Sequence, residues 1–141
     1  MSKRFKKAYI RIEKIFDGKF SDMSKRMETL EYFRSYLSEH LMFPIEVCGR
    51  EDFSWEEFYI FGPGDKREYE SLKRTRASYT DILRMTRFSA HCEIDYGLFG
   101  HFTRIADKKR FELPLADFKA VNNNSVAAQL LEDYSIWFVN Y

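Results

Sequence analysis

Only two cysteines occur in the chain, Cys48 and Cys92, and each stands alone. There is no CxxC pair to seed a zinc or redox motif, and two thiols do not make a disulfide framework. No stretch approaches the roughly 20 apolar residues that a membrane span needs. The first residues also lack the apolar core of a secretion signal. The expected compartment is therefore the cytoplasm, with both thiols reduced. An excess of charge of one sign is missing as well: 23 basic residues face 22 acidic ones. Non-specific nucleic-acid binding normally rests on a dominant positive field, so a net charge of +1 argues against it. The one basic run, Lys3-Arg4-Phe5-Lys6-Lys7, reads as the solvated start of a helix.

What the chain does have is apolar bulk. Its hydrophobic fraction is 45%, with fourteen Phe and nine Tyr. A chain of 141 residues buries roughly 68% of its unfolded surface, enough for a core without staples. No linker, repeat or low-complexity tract interrupts it, and Asn122-Asn123-Asn124-Ser125 is too short to separate domains. The expectation is one domain over residues 1–141.

Periodicity sets the expected elements. Phe5, Tyr9, Ile12 and Phe16 form one stripe of a helix from Lys3 to Phe16, ended by Asp17-Gly18. A second helix is expected from Ser21 or Asp22 to Leu41, with Met23, Met27, Leu30, Phe33 and Leu37 inward. Phe43 to Gly49 alternates as a strand, and Phe58 to Phe61 reads as another, closed by Gly62-Pro63-Gly64. Asp65 can cap a short helix, with Glu68 three residues on. Ile82–Phe88, Leu98–Ile105 and Arg110–Leu115 read as strands, the last two joined by a hairpin turn. Helical spacing returns from Ser125, with Leu130, Tyr134 and Trp137 as core anchors. The expected fold is α+β: N-terminal helices and a C-terminal helix on a small, strongly bent antiparallel sheet or SH3-like barrel.

Recognisable catalytic patterns are missing. There is no GxSxG, and His40, His91 and His101 are scattered. In Gly62-Pro63-Gly64-Asp65-Lys66, Pro63 removes a donor and Asp65 puts a negative charge where a phosphate would sit. Neighbouring His91 and Cys92 would point to opposite faces of a strand, a poor start for a zinc site with Cys48 and His101. The EF-hand pattern is absent too, but calcium needs six to eight oxygens, and loop carboxylates can supply them. Asp52, Glu56, Glu57 and Asp65 lie within fourteen positions around the Gly62-Pro63-Gly64 turn, so a fold-back there brings them together as candidate metal ligands. The competing reading makes them solvated charges and caps opposite Lys66, Arg67, Lys73, Arg74 and Arg76. Phe53 and Trp55 sit among these acids and are candidate binding residues for a protein or small ligand.

Tyr36-Leu37, then Leu41-Met42-Phe43-Pro44, resembles the helix-to-strand junction of a bacterial family of calcium-binding proteins, the cyanobacterial CcbP type. Gly49 through Tyr59, Gly62-Pro63-Gly64-Asp65, Leu113 through Phe118, and Leu131 through Asn140 resemble its Firmicute branch. The likeness spans residues 30–141. It implies a small cytoplasmic calcium buffer or sensor that uses surface carboxylates, with calcium as its ion. A near-neutral chain suits a second reading equally well: a non-enzymatic regulatory module that keeps the fold and binds a protein or small ligand without calcium. Self-association through a short edge strand is a variant of that reading.

Overall fold

The structure, a computed structural model, describes residues 2–141. Five helices and five strands follow the order α1 (Lys3–Phe16), α2 (Met27–His40), β1 (Ile45–Gly49), α3 (Ser54–Ile60), α4 (Lys66–Leu72), β2 (Leu83–Glu93), β3 (Gly97–Arg104), β4 (Arg110–Pro114), β5 (Phe118–Ala120) and α5 (Val126–Asn140). A 3₁₀ turn at Leu115–Asp117 joins β4 to β5.

The strands form one antiparallel sheet in the order β4-β3-β2-β1-β5. β4 and β5 remain its two edges, so the sheet is open and the barrel alternative is corrected. Closure is not needed to bury apolar surface here, because α2 and α5 lie against the sheet and α1 packs across both helices. Irregular pairing between Met85 and Arg87, and again between Phe88 and Cys92, breaks the long β2–β3 ladder; such bulges increase local twist. β1 keeps the expected alternation, with Ile45 and Val47 buried. The three residues of β5 carry no periodic signal long enough to be read in advance; Phe118 and Ala120 face in and Lys119 faces out.

The core is aromatic. The Phe33 ring lies 5.0 Å from Trp137, 5.3 Å from Tyr134 and 5.6 Å from Phe16, mostly tilted or edge-on, the arrangement that ring quadrupoles favour. Both polar tips are satisfied. Trp137 Nε1 donates to the Met23 carbonyl at 2.7 Å, and the Tyr134 hydroxyl accepts from the Leu98 N–H at 2.8 Å. The expected core role of Trp137 and Tyr134 therefore holds.

Three local readings change. In α1 the buried residues are Ala8, Ile12, Ile15 and Phe16, while Phe5 is exposed. α2 starts at Met27, five or six residues later than its apolar spacing suggests. The preceding residues bond elsewhere: Asp22 accepts from the Ser24 N–H, Trp137 takes the Met23 carbonyl, and the Thr29 hydroxyl both donates to the Ser24 carbonyl and accepts from the Arg26 N–H. Finally, Phe58–Ile60 is the end of helix α3, not a strand. A short aromatic run does not discriminate between the two states, and the helix is selected by what Glu56 does.

Candidate functional site

Glu56 is the third residue of α3 and is fully buried. Its Oε1 accepts the Phe53 N–H at 3.3 Å and the Tyr79 N–H at 2.8 Å. Its Oε2 accepts the hydroxyls of Tyr69 and Ser78, both at 2.7 Å. A buried carboxyl group is tolerated only when such donors replace water. One side chain thus ties the start of α3 to α4 and to the segment before β2. Burial, and then this hydrogen bond, raise the Tyr69 phenol above its ordinary pKa.

The other candidate carboxylates behave differently. Asp65 is the N-cap of α4, accepting from the Arg67 N–H at 3.2 Å. Asp52 is half-buried and Glu57 exposed, and neither accepts a hydrogen bond from the described residues. Among the described residues, no three His, Cys, Asp or Glu side chains are grouped so as to hold a metal ion. The resemblance implies calcium, yet this segment does not fit it. The one buried carboxyl group already has both oxygens engaged by four protein donors, and Asp65 serves a helix end. The Gly62-Pro63-Gly64 turn does fold the chain back: the Gly64 N–H donates to the Phe58 carbonyl at 3.2 Å. What it brings together is aromatic. The Tyr59 and Tyr69 rings stack at 5.4 Å and Trp55 lies 5.7 Å from Tyr69.

Trp55 is half-buried, and its indole N–H donates to the Ala77 carbonyl at 2.9 Å. The Arg76 guanidinium lies over its ring. Phe53 packs edge-on against Phe118 at 5.5 Å. Both residues anchor α3 to the body of the protein, leaving Phe58 and Phe61 as the exposed aromatics of this unit.

Arg104 is a residue that the sequence reading missed. It is 4% exposed at the end of β3. It donates to the carbonyls of Lys73, Arg74 and Arg76 just beyond α4, and to the carboxylates of Asp81 and Asp107. Free carbonyls at a helix end need such donors. No local motif announces a partner some 30 positions away.

The histidines are dispersed. His40 stacks on Tyr36, His91 pairs with Glu93 at 2.9 Å, and His101 faces Glu112 at 3.6 Å across β3–β4. Among the described residues, no Ser, Thr or Cys side chain hydrogen-bonds to an imidazole, the contact from which nucleophilic catalysis starts. Cys48 and Cys92 are free and half-buried. Among the described residues, no helix is long and apolar enough to cross a membrane.

No protein-family model matches the chain, and no curated protein matches its sequence. Among solved structures the fold resembles Anabaena CcbP with a TM-score of 0.58, over 94% of this chain and 89% of that one. The two sequences are 15% identical over that match. At this identity the likeness speaks for architecture, and the chain accordingly carries a CcbP-like α+β fold.

Proposed function

We propose that this chain is a non-enzymatic binding module on a CcbP-like fold, that Glu56 and Asp65 build the α3–α4 unit, and that neither they nor Asp52 and Glu57, which stand outside its hydrogen bonds, hold calcium. The observation that carries this reading is the saturation of Glu56, whose oxygens meet Phe53, Tyr69, Ser78 and Tyr79. A cation there would have to displace those donors, each of which would lose its partner in a buried setting. The ligand is a protein or a small molecule, met in a reducing cytoplasm where Cys48 and Cys92 stay thiols. Calorimetric titration of chelator-treated protein with calcium is the test. The expected result is no heat and no rise in melting temperature at millimolar calcium, since any ligand of the folded state stabilises it.

The fold likeness to CcbP favours a second reading, a weak calcium buffer or sensor that uses the more exposed carboxylates. Saturable heat and a raised melting temperature, both lost in the Asp52→Asn, Asp65→Asn double variant, would establish that reading and overturn the first.

A further inference from the structure

The basic run at the start of the chain is exposed, as its sequence suggests, and it also forms one wall of a cleft. Lys3, Arg4, Lys7 and Arg11 recur at three- and four-residue steps along α1, so they share one face. That face meets Arg50 just after β1, Lys119 on β5 and the start of α5 across a cleft of about 640 Å³. Six cationic side chains line the cleft against a single carboxylate, that of Glu132. Its volume lies within the range of small-molecule sites.

Pairing accounts for only part of this charge. Arg4 pairs with Glu132, and Arg11 takes Asp133 with two nitrogens, the shortest contact being 2.7 Å. Lys3, Lys7, Arg50 and Lys119 make no ion pair with the described residues. Arg50 is the telling member. Its Nε and Nη2 are shielded from solvent and have no hydrogen-bond partner. A buried donor without an acceptor is costly and rare in native proteins. The same burial pushes the Arg50 guanidinium below its ordinary pKa. Neutral amide donors are present too: Asn123, Asn124 and Gln129 line the wall where α5 begins. At the start of that 15-residue helix the Ser125 hydroxyl caps the Ala128 N–H at 3.1 Å.

We infer that this cleft binds a small, multiply charged phosphate-bearing anion, with Arg50 supplying buried donors and Lys3, Lys7 and Lys119 supplying charge. Such a ligand provides the missing acceptor for Arg50 and removes the mutual repulsion of the like charges along α1. The site shares no residue with the α3–α4 acids and stands independently of the calcium titration.

The test is calorimetry on the full chain with pyrophosphate and with ATP, with sulfate at matched ionic strength as control. The expected result is one-to-one saturation by both phosphates, well above sulfate, weakening as salt rises. Arg50→Gln should weaken binding roughly tenfold or more, the scale of one charge-assisted hydrogen bond. Because Arg50 has no side-chain partner to lose, that variant should keep its fold. The exposed pair Lys7→Gln, Lys119→Gln should weaken binding as well. Pyrophosphate binding without ATP binding would confine the ligand to a free phosphate anion, and the inference would stand. Absence of binding to either phosphate at millimolar concentration overturns it, as does unchanged affinity in both variants. Binding confined to an oligonucleotide would overturn the small-ligand assignment.

Discussion

Glu56 offers the sharpest perturbation. The Glu56→Ala variant removes the acceptor for four donors at 3.3, 2.8, 2.7 and 2.7 Å. Hydrogen bonds to an ionised or ionisable group contribute about 1.5–3 kcal/mol each, but neighbours in one network do not add. Water reaching the vacated space would recover part of the loss. A net destabilisation of about 3–4 kcal/mol follows, a large share of the roughly 5–15 kcal/mol of a typical domain. In urea that corresponds to a midpoint lowered by about 1.5–2 M. The Glu56→Gln variant distinguishes the two oxygens. Its amide oxygen can stay against the Phe53 and Tyr79 N–H groups, which cannot turn. Its NH₂ then faces the Tyr69 and Ser78 hydroxyls, which can rotate to accept. Gln should therefore cost about 1–2 kcal/mol, clearly less than Ala. Equilibrium urea unfolding of the three proteins, without calcium and in its presence, is the assay. Equal stability of Ala and wild type, or a loss seen only in calcium, would refute the structural role argued for this carboxyl group.

Arg104→Ala should be comparably harmful, by about 3–5 kcal/mol, because it leaves Asp81 and three carbonyls beyond α4 without their donor; unchanged thermal stability would count against that hub. Arg104→Lys keeps the charge but not the planar fork, so it should restore only part of the loss in the same melt. Asp107 makes the pH dependence testable. The Arg104 guanidinium, then the Lys109 N–H, lower its pKa from the ordinary 3.8 to about 2. A carboxyl group lowered in the folded state stabilises fully above its unfolded value and loses that effect as pH falls through the folded one. The stability gap between wild type and Asp107→Asn should therefore shrink between pH 3.8 and about 2; a gap constant over that window would show that the pair does not titrate as described.

Hydrophobic spacing along the chain determined where α1 and α5 run, the inward face of β1, and the core placement of Tyr134 and Trp137. Each of these signals is local: an apolar stripe at helical or alternating period states which side is buried without naming the partner. Composition likewise determined that no strong overall field surrounds the molecule. Tertiary structure decided the rest. Residues 20–26 stay non-helical partly because Trp137, more than a hundred positions away, takes the Met23 carbonyl. α3 is a helix with Glu56 tied to Tyr69, Ser78 and Tyr79, which no spacing rule connects. Arg104 reaches the carbonyls beyond α4 from the end of a strand. The cationic face of α1 becomes a cleft wall only because β1 and β5 deliver Arg50 and Lys119 opposite it. Charge and hydrogen-bond partnership depend on distance in space, and a nearly neutral sequence conceals a concentrated patch until folding sets which cations stand together.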